Sequence, residues 1–194
     1  MKHVQVCKQA LAAAVFSALA IGTAGTAQAV PVISLTVSPS PAAVGNTVLV
    51  NVNISGAVDV YGYQFSLLFN PAVLQATGST EGSFLPAGGS TYFVPGTVNN
   101  TLGAVNFTIG TLLGTLPGVS GNGTLATLSF NAAALGSSSL GFRDVVLFDS
   151  ELVDLTGVQL QGGMVTVVPE PGTWLMFGLG LAGVAGLARR RQTA

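Results

Sequence analysis

The stretch Val60-Tyr61-Gly62-Tyr63-Gln64-Phe65-Ser66-Leu67-Leu68-Phe69-Asn70-Pro71-Ala72-Val73-Leu74 sets the architecture. Tyr61, Tyr63, Phe65, Leu67 and Phe69 alternate with Gly62, Gln64, Ser66 and Leu68. A period of two suits a pleated strand with one face in a core, and it gives a helix no apolar stripe. Asn70-Pro71 then ends the run, because proline has no N–H for a ladder and fixes φ for a turn.

The same period extends outward in both directions. Val48, Val50, Val52 and Ile54 alternate with Leu49, Asn51, Asn53 and Ser55, and Ile33, Leu35 and Val37 open the series. Downstream runs cover Ala104 to Thr111 (Val105, Phe107 and Ile109 facing inward), Thr124 to Phe130 (Ala126, Leu128 and Phe130 inward), Leu140 to Phe148, and Gly163 to Val168. Between them stand Ser38-Pro39-Ser40-Pro41, Pro86-Ala87-Gly88-Gly89, Pro95-Gly96, Pro117-Gly118 and Gly121-Asn122-Gly123. Each is a turn with a mechanism, the fixed φ of proline or the positive φ that glycine tolerates. Seven to nine strands, frequent turns and no amphipathic helix predict an all-β antiparallel β-sandwich, with a closed barrel as the alternative.

Composition limits the chemistry. Of 194 residues, 49% are hydrophobic and only 7% charged, against about 25% charged in an ordinary soluble domain. Residues 30 to 169 hold Arg143 as their only cation against Asp59, Glu81, Asp144, Asp149, Glu151 and Asp154. That balance offers nucleic acid no basic field. The same segment has no His, Cys or Lys, since His3 and Cys7 are the only residues of their kinds. Nucleophile–histidine pairs, thiolate or lysine nucleophiles and His/Cys zinc sites are thereby excluded, as is a disulfide. Residues 30–168 have the usual length of one domain with its own core.

The two ends account for the remaining cations. Residues 1–29 read as a signal peptide: Lys2 and Lys8 precede the apolar run Ala10 to Ile21, and Ala27-Gln28-Ala29 supplies the small residues that signal peptidase requires. In residues 169–194, Pro169-Glu170-Pro171 leads into the uncharged stretch Trp174 to Ala188 and then Arg189-Arg190-Arg191. Those fifteen apolar residues reach roughly 22 Å as a helix at about 1.5 Å per residue, short of the ~30 Å hydrocarbon core. They span it only with help from their flanks or a thinned bilayer. The arginine cluster holds the carboxyl end in the cytoplasm, which leaves the preceding domain outside.

The order Pro-Glu-Pro, short glycine-containing apolar helix and terminal arginines resembles the PEP-CTERM sorting signal. The resemblance implies an exopolysaccharide-making Gram-negative host and an exosortase-type transpeptidase that cuts near the tripeptide and sends the protein to the cell surface or extracellular matrix. A plain membrane anchor is the alternative.

Val60 to Leu74 resembles the third strand of cohesin domains, which ends in an aromatic-Asp/Asn-Pro-x-x-Leu turn. Gly123 to Phe130, and Ser138 to Phe148 with its following acidic residues and Gly157, stand in cohesin order. The resemblance covers about residues 32 to 168. It implies a nine-stranded jelly-roll sandwich related in fold to carbohydrate-binding modules, and a dockerin partner that meets the outward residues of the third strand. By the match those residues are Gly62 and Gln64, where glycine departs from the family's polar choice.

Asp149, Glu151 and Asp154 crowd hard oxygen ligands together, but Asp-x-Glu-x-x-Asp lacks the glycine-turned spacing of an EF-hand loop. The expectation is a solvated acidic loop with Ca²⁺ as the lesser alternative, no other cofactor and no catalytic residue. The reading is an exported, non-catalytic binding or adhesion module for a protein or polysaccharide. Its alternatives are a scaffold that docks a dockerin-bearing enzyme for polysaccharide breakdown, and a glycosidase built on a carboxylate pair.

Overall fold

The computed structural model describes residues 30–170, 172 and 176–182. The expected signal peptide, with its cleavage residues Ala27 and Ala29, lies outside the described residues, as do Pro171 and Arg189 to Arg191.

In chain order the strands are β1 (Val32–Ser38), β2 (Ala42–Ala43), β3 (Thr47–Val60), β4 (Gly62–Leu68), β5 (Leu74–Glu81), β6 (Thr91–Val94), β7 (Thr97–Asn99), β8 (Ala104–Leu112), β9 (Val119–Ala132), β10 (Gly136–Phe148), β11 (Gln159–Gln161) and β12 (Gly163–Val168). They form a sandwich of two sheets. One sheet has the order β11-β1-β3-β9-β5; the other has β2-β12-β10-β4-β8-β6, with β7 also pairing to β8. Nine strands have four or more residues, and β2, β7 and β11 are shorter additions at the margins. Pairing is antiparallel except for β1 with β11 and β2 with β12. Both parallel pairs join segments that arrive from the opposite sheet.

The predicted inward faces form the core. Val48, Val50, Val52 and Ile54 from β3 meet Ala126, Leu128 and Phe130 from β9, and Tyr63, Phe65 and Leu67 of β4 close over them from the other sheet. All are essentially fully buried, each large side chain contributing about 1.5–3 kcal/mol of transfer free energy. Aromatic rings pack between and within the layers: Phe69 meets Phe130 of the other sheet edge-on at 5.1 Å between centroids, and Phe65 meets Phe142 on the neighbouring strand at 6.1 Å.

Strand β8 departs from its sequence reading. The alternation assigns Val105, Phe107 and Ile109 to one inward face, but only Val105 is fully buried, whereas Phe107 is 51% exposed. Leu67 pairs with Val105 and Phe65 with Thr108, so Asn106 and Phe107 together stand opposite Ser66. This is a bulge, with Phe107 in the left-handed region at φ 55°. It reverses the phase of everything after it, so Thr108 and Leu112 turn inward and Ile109 turns out.

At the carboxyl end, Val168 pairs with Ala43, Pro169 is half-buried, Glu170 is exposed, and residues 176–182 are helical. Among the described residues no helix is long and apolar enough to cross a membrane.

Candidate functional site: the outer face of the larger sheet

Strand β4 lies at the centre of this face, with β10 on one side and β8 on the other. Its outward residues Gly62, Gln64 and Ser66 define three cross-strand rows. In the first, Tyr92, Thr111, Gly62 and Phe148 are in register. In the second, the register aligns Val94, Ile109, Gln64 and Val146. The third is built on two bulges. Besides Asn106-Phe107 in β8, the pairing of β10 with β4 shifts between Arg143 and Val146, so that Asp144 and Val145 together stand opposite Phe65. Asp144 is left-handed at φ 54°.

Ser66 holds both bulges. Its buried hydroxyl accepts the Phe107 N–H at 3.1 Å and donates to Asp144 Oδ2 at 3.3 Å. The Asp144 carboxylate also meets Arg143 Nε at 3.0 Å, and Arg143 reaches Asn106 Oδ1 at 3.1 Å. A surface pair of this kind adds only ~0–1 kcal/mol to stability. Its consequence is geometric: the only cation of residues 30–169 is held beside exposed Phe107. Tyr92 and Val146 are exposed on the same face, which makes it an apolar and aromatic surface around one ordered ion pair.

The two partner-face residues read from the sequence are placed differently. Gln64 is reachable, its amide donating weakly to the Asp144 carbonyl at 3.4 Å. Gly62 is not, because the ring of Phe148 lies across it: a Cβ there would fall 2.1 Å from Phe148 Cζ. The glycine is required by that aromatic lid and offers a partner no surface of its own. Sequence reading missed Phe107, Arg143 and Ser66, whose roles depend on bulges that the alternation does not register.

The outer face of the smaller sheet is of another kind. Asn53 donates to Thr36 at 2.9 Å and accepts from Thr124 at 2.9 Å, while Thr127 donates to Asn51 at 2.8 Å. These uncharged side chains satisfy one another across the strands.

At one end of the sandwich an open cleft of about 450 Å³ is lined by Tyr61, Gly114, Leu116, Pro117, Ser150 and Leu152. The Tyr61 hydroxyl donates to the Gly114 carbonyl. Beside it, Asp59 accepts from the Ser150 hydroxyl and the Gly118 N–H, both at 2.7 Å. The Ser150 hydrogen bond foremost holds its carboxyl below the usual aspartate value, against a partial opposing effect of burial. In the acidic loop, Asp149 Oδ1 accepts the N–H groups of Glu151 and Val153, both at 2.9 Å. That carboxylate is spent on its own turn, and Glu151 and Asp154 point to solvent. Among the described residues no three His, Cys, Asp or Glu side chains converge on a metal position.

Comparison with known proteins agrees with this fold. The family model of the cohesin domain matches residues 33–167, and that of the PEP-CTERM protein-sorting motif matches residues 167–192. No curated protein matches the chain. Among solved structures, a type II cohesin domain from the cellulosome of Acetivibrio cellulolyticus aligns with a TM-score of 0.60 at 22% identity, covering 70% of this chain and 95% of that one. A non-cellulosomal cohesin from the hyperthermophilic archaeon Archaeoglobus fulgidus aligns at 0.56 and 19% identity, over 76% of this chain and 98% of that one. A cohesin in a type I cohesin–dockerin complex from Clostridium thermocellum aligns at 0.55 and 16%, over 71% and 99%. With its family model covering most of its length, the chain belongs to the cohesin domain family and carries a PEP-CTERM sorting motif at its carboxyl end.

Proposed function

We propose that the chain is an exported, surface-sorted adhesion module that grips a protein partner, of dockerin type, with the outer face of its larger sheet. The observation that carries this reading is the arrangement around Ser66: two bulges turn Phe107 outward and hold the Arg143–Asp144 pair beside it. A flat apolar surface with one oriented cation suits a helical partner presenting aliphatic side chains and a carboxylate. The cohesin of Clostridium thermocellum was solved with a dockerin, which supports the same class of partner. The module is non-catalytic in this reading, its acids serving turns and solubility. The sorting motif supports export, transient membrane attachment and cleavage by an exosortase-type transpeptidase.

The test is binding of the purified exported chain to dockerin-bearing proteins and to a glycan array, with Phe107→Asp and Val146→Asp on the larger sheet and Thr36→Asp on the smaller. Loss of a protein partner with the first two and not the third is the expected result. Glycan binding insensitive to Phe107 would instead make this a polysaccharide module with its site elsewhere. For the tail, mass spectrometry of the mature protein should find Arg189 to Arg191 removed in cells that contain the transpeptidase.

A further inference from the structure

The sandwich is polarised along its strands, and the tail leaves from one pole. Val167 pairs with Gly136 and Val168 with Ala43, so the chain exits β12 beside the β2–β3 and β9–β10 turns. The β4–β5 and β7–β8 turns reach the same pole. Phe69 N–H donates to the Gly103 carbonyl, Ala133 N–H to the Val73 carbonyl, and a Cβ on Gly103 or Gly136 would meet Pro71 or Val73. The segments that gather there, residues 38–47, 69–75, 100–104 and 131–138, contain no charged residue, and Glu170 in the departing tail is the one acid on that side.

Their tips are apolar. Leu102 is 76% exposed on the β7–β8 turn and Leu135 is 56% exposed on the β9–β10 turn, flanked by exposed Ala133 and Ala134. The opposite pole carries Asp59 near the end of β3, and Asp149, Glu151 and Asp154 after β10, with no cation among them; Glu81 pairs with Ala126 in the middle of β9 and lies between the poles. Nothing inside the fold requires either leucine to be apolar.

The distance to the membrane is fixed by chain length. Trp174, where the apolar stretch begins, is six residues beyond Val168, and six residues reach at most about 21 Å whatever their conformation. The tail-side pole therefore cannot be far from the bilayer while the tail is inserted.

We propose that this pole is a lipid-contact surface, which seats the uncleaved precursor on the outer leaflet with Leu102 and Leu135 in the interfacial layer and the acidic pole pointing away. Leucines at loop tips partition into the headgroup boundary without needing a helix. An anionic leaflet repels the acidic pole and leaves the uncharged one indifferent, so charge fixes the same orientation as the leucines. Seating would hold the Pro-Glu-Pro segment at a constant height above the membrane, where a membrane-embedded processing enzyme works. The proposal rests on the reading of the tail as a membrane anchor before cleavage.

The experiment uses the chain as it stands once residues 1–29 are removed, which has no cysteine of its own, with a single new cysteine at Leu102→Cys, Leu135→Cys or, on the acidic pole, Leu152→Cys. Each carries an environment-sensitive fluorophore, in vesicles of phosphatidylethanolamine and phosphatidylglycerol doped with shallow nitroxide lipid. Quenching at positions 102 and 135 at least about threefold stronger than at 152 is the expected result, since only those labels would share the interfacial layer. Equal, weak quenching at all three while the protein still floats with the vesicles would overturn the seating and leave the anchor intact. Failure to float would remove the anchor and the seating together. Shielding of 102 and 135 that arises only when the transpeptidase is added, without lipid quenching, would assign the pole to the enzyme and overturn the lipid assignment.

Discussion

The side-chain amide of Asn100 pairs with the backbone of Ala76 as a neighbouring strand would. Its Oδ1 accepts the Ala76 N–H at 2.8 Å and its Nδ2 donates to the Ala76 carbonyl at 3.0 Å. Strand β5 is the edge of the smaller sheet, and an open edge is a template for pairing with another chain. Asn100 closes it at mid-strand and ties the β7–β8 turn of one sheet to the edge of the other. Asn100→Ala should lose about 2 kcal/mol in urea denaturation, two partly buried hydrogen bonds' worth. It should also gain concentration-dependent association in sedimentation velocity. Asn100→Asp keeps the acceptor and loses the donor, so it should fall between the two; a variant as stable and as monomeric as the parent would refute the edge-closing role.

The contact between Gly62 and Phe148 gives a second test. A methyl at 62 would overlap three ring atoms of Phe148 at under 3 Å, so Gly62→Ala must displace the ring and should cost about 1–3 kcal/mol. If the ring is the cause, Phe148→Ala in the same chain should absorb most of that cost. A double-mutant cycle by chemical denaturation measures the coupling, and additive effects would locate the strain elsewhere.

How far the sequence revealed this molecule depended on whether a strand kept its phase. Strands β3 and β4 alternate without a break across their core-facing residues, and Val48 to Ile54 and Tyr63 to Leu67 are buried as their pattern requires. Strand β5 was invisible because its register shifts between Ala76 and Gly78 and its later residues are Ser79, Thr80 and Glu81. In β8 the alternation was read correctly as far as Val105 and wrongly after it, since a bulge costs one residue of phase and leaves no compositional mark. The candidate face was half legible for the same reason. Gln64 follows from the unbroken strand, whereas Phe107 and the Arg143–Asp144 pair face outward through φ values that no spacing rule encodes. The sorting tail was legible throughout because its signal is an order of residues, not a geometry.

Asp59 predicts a pH dependence. Its folded pKa lies below the ordinary aspartate value, chiefly through the Ser150 hydroxyl. Its contribution is therefore complete above the unfolded pKa of about 3.9 and is lost as pH falls through the lower folded value. Asp59→Asn isolates the charge, since asparagine adopts the φ of 54° found here as readily as aspartate. The stability gap between parent and variant should be constant from neutral pH down to about 5 and close below about 4. The carboxylate is partly exposed, so solvent screening keeps the gap small, and urea midpoints across that range measure it. A gap that widens on acidification would reverse the sign and exclude the carboxylate as its source.

Tyr63 provides the alkaline counterpart. Its hydroxyl is buried between the sheets and donates to the Leu125 carbonyl at 2.6 Å. Burial, with a smaller contribution from the Glu81 charge, pushes its pKa well above the ordinary tyrosine value. A raised folded pKa means that the stabilisation is whole below the unfolded value of about 10 and declines as pH rises beyond it. In a spectrophotometric titration at 295 nm, the Tyr63 share of the phenolate absorbance should therefore appear only together with unfolding followed by far-ultraviolet circular dichroism. Tyr63→Phe removes that late step and leaves the Leu125 carbonyl with the Gly82 N–H as its remaining donor, at a cost of about 0.5–1.5 kcal/mol at neutral pH. The same substitution removes the phenol whose ionisation favours the unfolded chain, so its penalty should shrink steadily above pH 10. A phenolate from position 63 that forms in the intact sandwich would show instead that solvent reaches the space between the sheets.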